Sequence, residues 1–265
     1  MKKQKILFFA KSIVILLVLF SPLKTNAQIE NSFEVSINVG VISMQSDYGE
    51  RGNIKSSLTG NIGYTTSISL YKNFYDRYIK WNSRTNWIQE HLKLKAGITH
   101  TKINLNHYGI YSEGKTNSSI LLRAMHGESS ITNFEGGVEY HLLSLTDFSS
   151  EFGTTLLSPY VSFGGAYGIS NANVTSDLGN INENSILLID AYKKNAIYIK
   201  KEEVFSFYFG AGTRLKLSKN TELVFDTKWQ YYFSDKIDGL SPKIDANKNN
   251  DWTYQLSLGI VIYLY

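Results

Sequence analysis

The stretch DWTYQLSLGIVIYLY, Asp251 to Tyr265, separates into two rows when alternate residues are read. Trp252, Tyr254, Leu256, Leu258, Ile260, Ile262 and Leu264 form one row; Thr253, Gln255, Ser257, Gly259, Val261, Tyr263 and Tyr265 form the other. Successive side chains of a strand point to opposite faces, so a period of two predicts a strand. One of its faces is fully apolar and the other is mostly polar or small. What covers the apolar face decides the fold.

The pattern recurs along the chain. In 221–234, Leu223, Phe225, Thr227, Trp229, Tyr231 and Phe233 oppose Asp226, Lys228, Gln230 and Ser234. In 204–217, Phe205, Phe207, Phe209, Ala211, Leu215 and Leu217 oppose Ser206, Gly210, Gly212, Arg214 and Lys216. Val161, Phe163, Tyr167 and Ile169 oppose Ser162, Gly164, Gly168 and Ser170; Phe134, Val138, Tyr140 and Leu142 oppose Asn133, Glu135, Gly137, Glu139 and His141. Leu92, Leu94, Ala96 and Ile98 oppose Lys93, Lys95, Gly97 and Thr99. Leu58, Ile62, Tyr64, Ile68 and Leu70 oppose Gly63, Thr65, Ser67 and Ser69, and Phe33 to Val41 alternates against Glu34, Ser36, Asn38 and Gly40. One such segment is a weak signal; eight segments of roughly 10–14 residues predict an eight-stranded antiparallel transmembrane β-barrel.

The connections agree. Ser218-Lys219-Asn220 is a tight turn, 75–90 and 143–157 are moderate, and 42–57, 100–130, 171–203 and 235–251 are long and polar. With the N-terminus inside, all the long connections fall on one side, the arrangement of short periplasmic turns and long outer loops.

Volume chooses the outward face. The interior of eight strands is just wide enough to be filled by side chains. The apolar rows carry Phe, Trp, Tyr, Leu and Ile at nearly every position, whereas the polar rows carry the glycines. Bulky apolar residues suit lipid, with aromatics at the interface girdles, where Trp229, Tyr231, Phe233, Trp252 and Tyr254 are expected. A lipocalin-like barrel with its apolar face inside would reverse this.

The first residues read as an export leader, residues 1–27: a basic start at Lys2, Lys3 and Lys5, an apolar run Ile13–Phe20 and small residues at Thr25-Asn26-Ala27. The run is shorter than the roughly 20 residues of a membrane helix. This segment holds five of the 27 Lys and Arg and no acid, so residues 28–265, one barrel domain, carry 22 basic against 23 acidic side chains. The apparent basicity belongs to the leader and gives no reason to expect nucleic-acid binding. The absence of Cys removes disulfides, thiolate chemistry and a lipoprotein anchor.

Four stretches carry a resemblance. Ser257, Gly259, Ile262 and Leu264 resemble the C-terminal signal read by the barrel assembly machinery, with Tyr265 as an extra residue. Gln45–Gly52 (QSDYGERG), Leu122–Gly127 (LRAMHG) and Tyr231–Leu240 (YYFSDKIDGL) resemble the small outer-membrane barrels of Bacteroidota, an architecture similar to OmpA- and OmpX-type barrels. The resemblance implies fold and outer-membrane location, and brings no defined activity or catalytic residues.

Among candidate chemical groups, the polar rows hold Glu34, Glu135, Glu139 and Asp226 against Lys93, Lys95, Arg214, Lys216 and Lys228. Buried charge is costly unless paired, so these are expected to be ion pairs filling the lumen rather than the lining of a gated pore. His100 with Ser129 or Ser130 is the best candidate for lipid A deacylation. An ordinary rim histidine is the simpler reading. His107, Glu113, His126 and Glu128 match no metal-ligand spacing, and Asp47, Glu50, Asp235 and Asp238 lack an EF-hand loop, so no metal and no cofactor is expected. Gly210-Ala-Gly212 lacks the third glycine and the helix of a dinucleotide fingerprint. The expectation is a non-enzymatic envelope protein whose partners are outer-membrane lipid, the assembly machinery and an unknown surface or envelope protein. The alternatives are a lipid A-modifying enzyme and an accessory barrel of a secretion or gliding apparatus.

Overall fold

A computed structural model describes residues 33–48, 60–74, 85–149, 155–181, 185–193, 196–242 and 249–264. The leader, Glu50 and Leu58 lie outside them. Eight strands follow in order: β1 (Phe33–Gln45), β2 (Ile62–Asn73), β3 (Leu92–Asn106), β4 (Met125–His141), β5 (Leu157–Ser176), β6 (Glu202–Lys216), β7 (Thr221–Tyr232) and β8 (Trp252–Leu264). Each pairs antiparallel with its neighbour, and β8 closes on β1, so the sheet has no open side. Closure satisfies the strand backbone internally, the condition for a sheet to sit in lipid. Among the described residues no helix is long and apolar enough to cross a membrane.

The register fixes the geometry. Stepping from Val39 through Thr66, His100, Thr132 and Ile169 reaches Glu203 on β6. Stepping the other way through Leu258 and Phe225 reaches Thr213, a stagger of ten residues. Such a stagger tilts the strands, by about 35–45° in barrels of this type.

The apolar rows face outward. Ile37, Ile68, Phe163, Phe205 and Leu258 are each more than half exposed, while Glu34, Ser36, Thr65, Glu139 and Arg214 on the opposite rows are buried. Aromatics cluster on one side of the wall: Trp229 meets Tyr254 at 4.8 Å, Tyr231 meets Trp252 at 5.2 Å and Phe209 stacks on Trp229 at 5.3 Å. Inside, small residues make room for large ones. The hydroxyl of Tyr208 lies over β4 and β5, where a Cβ at Gly164 would come within 2.6 Å of it.

Two features depart from the sequence reading. First, β3, β4 and β5 have 15, 17 and 20 residues and run into stretches expected to be loop. The expected connection 100–130 therefore shrinks to 107–124. Above the row His100–Thr132–Ile169 the outward positions turn polar (Lys102, Asn104, Glu128, Ser130, Asn171, Asn173), and the inward positions turn apolar (Ile103, Leu105, Ile131, Ala172, Val174). The alternation continues while its chemistry inverts, as it must where strands leave lipid for water. Second, short helices occupy the connections. At the end with the tight turn 217–221 and the start of β1 are α1 (Trp87–His91) and α4 (Leu145–Ser149). On the far side are α2 (Ile110–Glu113), α3 (Asn117–Arg123) and a 3₁₀ turn, Ser185–Leu187. The first end is the periplasmic one in the usual orientation of such barrels.

Candidate functional site: a charged lumen closed at both ends

Arg214 of β6 stands at the centre of the lower lumen. Its Nη1 donates to Glu34 at 2.7 Å and to Glu222 at 3.1 Å, and its Nη2 donates to Glu139 at 2.7 Å. The guanidinium also lies 4.5 Å from the centre of the Tyr71 ring. Lys93 Nζ bonds both oxygens of Glu34, at 2.7 and 3.0 Å, and the Asn73 amide donates to the first of them at 2.6 Å. Arg214, Lys93, Glu34 and Glu139 have no exposure at all. Arginine suits the centre, since its planar fork holds several carboxylates at once and cannot lose its proton.

Higher in the lumen, Lys228 pairs with Glu135, and Tyr160 Oη donates to Asp226 at 2.7 Å. Lys95, Lys228, Glu135, Asp226, Tyr71 and Tyr160 border a cavity of about 10 Å³, room for about one water. Lys95 therefore sits among these groups rather than in the arginine cluster. Lys216 reaches down instead, and its Nζ donates to the Phe148 carbonyl at 3.1 Å. Phe148 and Leu145 of α4 pack with Tyr263 as a buried apolar plug under the charges.

Glu222 is not among the expected lumen charges because the polar row of 221–234 is read only from Asp226 onward; Glu222 lies on that same face. His141 is the other addition. Its Nδ1 lies 2.8 Å from Ser158 Oγ and its Nε2 3.6 Å from Glu139, all three buried.

The outer mouth is closed by an apolar cap. Ile42, Met44, Ile103, Leu105, Met125 and Ile131 from the strand tops pack with Tyr48, Ile181, Leu188, Tyr192, Ile237 and Leu240 from the connections. Three stretches that carried the family resemblance meet here. The Asp47 N–H donates to Asp238 Oδ2 at 2.9 Å, and the Leu240 N–H donates to Asp238 Oδ1 at 2.8 Å. The Tyr48 ring fills the space where a Cβ on Gly127 would stand, 2.6 Å from its hydroxyl. Ser129 Oγ donates to the Ile237 carbonyl. Burial pushes the Asp238 carboxyl up to about 7, with Asp235 adding to the rise and the two backbone donors opposing it. Burial also brings His107 down to about 3, with the nearby His126 acting in the same direction. His107 lies between Tyr48, at 4.6 Å, and Tyr192, at 5.9 Å.

The remaining candidates are dispersed. His100 Nδ1 lies 3.0 Å from Thr132 Oγ1 on the outer wall, whereas Ser129 faces inward to the cap and Ser130 sits opposite Lys102. Alternation puts Ser129 on the opposite face from His100, while Ser130 shares the outward row, two positions along β4 from Thr132. His126 engages Asn106 at 2.6 Å and Asp177 at 3.0 Å, while Glu128 pairs with Lys102 at 2.9 Å. Among the described residues no three His, Cys, Asp or Glu gather in a way that could hold a metal. Gly210 and Gly212 lie within strand β6, which β7 follows rather than a helix.

The C-terminal positions have local reasons of their own. A Cβ on Gly259 would overlap the Asn38 carboxamide. Ser257 sits on the lumen row, and Ile262 and Leu264 are exposed on the outer one.

These features define an eight-stranded closed β-barrel of the outer-membrane type. No family model matches the chain, and no curated protein matches it. Among solved structures it is similar to neisserial surface protein A, at 11% identity over 88% of this chain and 99% of that one, with a TM-score of 0.46. It is also similar to Ail, the attachment invasion locus protein of Yersinia pestis, in complex with a heparin analogue (12%, 89% and 99%, TM-score 0.43). A third is a major outer membrane protein of Thermus thermophilus (13%, 88% and 99%, TM-score 0.44).

Proposed function

We propose that this chain is a non-enzymatic protein of a bacterial outer membrane, of the Bacteroidota kind, exported by a leader at residues 1–27. Its role is structural or partner-binding through the outer connections. The observation that carries this reading is the double closure of the lumen, by Leu145, Phe148 and Tyr263 below and by the apolar cap above. A barrel filled with ion pairs between two plugs offers no path for a solute. The surface left for interaction is the outer end, where Ile110, Tyr111 and Ile186 are at least 65% exposed. Loops on a rigid scaffold commonly carry binding. Outer-membrane lipid surrounds the wall, and the assembly machinery reads Ser257, Gly259, Ile262 and Leu264. The unknown partner is an envelope or surface protein, of which an accessory role in secretion or gliding is one form.

Purified protein in planar bilayers tests the closure, and photo-crosslinking from position 111 in intact cells tests the binding. The reading expects no conductance steps and a discrete crosslinked product. Steady ion conductance, or an altered lipid A profile on deletion of the gene, would overturn it.

A further inference from the structure

We infer that α1 is an interfacial foot that seats the periplasmic rim of the barrel in the lipid of the inner leaflet. This rests on the outward row being the lipid face. The helix is fixed to the outside of the wall. His91 Nδ1 lies 2.7 Å from the His141 carbonyl, at the lower end of β4. The rings of Trp87 and His91 pack against Tyr140, at 5.7 and 5.6 Å. Tyr140 belongs to the outward row of β4, so α1 continues that row past the end of the strand.

The helix buries none of its residues, and Trp87 and Ile88 are 55% and 43% exposed. On the same rim Leu142, Leu157 and Leu217 extend the outward rows of β4, β5 and β6, each more than half exposed. A tryptophan beside a tyrosine, with leucines at the same level and Gln89 and Glu90 on the helix, is the mixture that settles between acyl chains and headgroups. Continuity with the lipid-facing wall makes phospholipid the occupant rather than a periplasmic protein.

The chain has no cysteine, so single cysteines can be placed without background. Ile88→Cys and, as reference, Leu258→Cys are introduced into the full protein, labelled with an environment-sensitive fluorophore and reconstituted in phosphatidylethanolamine–phosphatidylglycerol vesicles. The label at 88 is expected to be quenched more by a nitroxide near the headgroup than by one near the acyl terminus, with the reverse order at 258. A label at 88 quenched only by aqueous iodide, with 258 still quenched by lipid, overturns the foot and leaves the barrel intact. If neither is quenched by lipid, the outward row is not the lipid face and both ideas fall. Protection of 88 in cell membranes but not in vesicles would assign the surface to a protein and also overturn the inference.

Discussion

Arg214 on β6 and Glu34 on β1 face each other across the lumen at 2.7 Å, joining strands 180 positions apart in sequence. Neither side chain has any solvent contact. Removing one partner of a buried pair leaves the others as uncompensated charge, which costs about 3–5 kcal/mol. Arg214→Leu is therefore expected to destabilise the reconstituted barrel by that much in urea unfolding, because three carboxylates lose one cation. Arg214→Lys should fall between, since an ammonium cannot span Glu34, Glu139 and Glu222 together. Unchanged unfolding in both variants would mean the cluster contributes nothing net.

The Tyr208 hydroxyl over Gly164 gives a second test. Gly164→Val forces a side chain against the backbone carbonyl oxygen of Gly136 as well as to 2.6 Å from the Tyr208 hydroxyl, an overpacking expected to cost about 1–3 kcal/mol or more, of which only the tyrosine's share can be relieved. Tyr208→Ala in the same chain should recover part of the loss, measured as a double-mutant cycle. Additive effects would show the two sites are independent.

The cap responds to pH through two groups of opposite sense. Asp238, at about 7 in the folded state, lies above its unfolded value of about 3.9, so the native cap holds a proton that the unfolded chain has released. Its contribution is greatest at low pH and is lost as pH rises from about 4 through 7. His107, at about 3, lies below its unfolded value of about 6.5, and its contribution is lost as pH falls through that interval. Above about pH 6.5 only Asp238 acts, so amide protection at Leu240 is expected to fall between pH 6.5 and about 8. Asp238→Asn should flatten that dependence, and His107→Phe should leave it in place. A cap that gains protection as pH rises would reverse the assigned sign.

His100 bonds Thr132 rather than a serine, and its ring is exposed on the wall. His100→Ala is expected to leave the lipid A profile of the cells unchanged, read by mass spectrometry. Loss of an acyl-chain modification would restore the enzymatic alternative.

Most of the barrel was legible because one physical rule covers it. The β8 reading from Asp251 to Tyr265 matches the observed Trp252–Leu264, and its outward row is the one expected. The tops of β3 to β5 were not legible. Ile103 and Leu105 lie on the row of Lys93 and Lys95, and only the level of the membrane surface says that the two faces exchange chemistry there. Of the lumen charges, Arg214, Glu34, Glu139 and Lys93 form one cluster, and alternation alone sets all four on the inner face. Lys216 leaves it because the last residue of a strand can reach the plug beneath. The cap is non-local: Asp47, Gly127 and Asp238 look like loop residues until the strand tops bring them together.

The central claim is that the apolar rows face lipid around a closed barrel. The direct test is to isolate the outer-membrane fraction and run the protein on a detergent gel, unheated and boiled. A closed barrel with a lipid-facing wall is expected to be enriched in that fraction and to change mobility clearly on boiling. A protein found soluble in the periplasm, with one mobility under both conditions, would contradict it and turn the apolar rows inward around a ligand cavity.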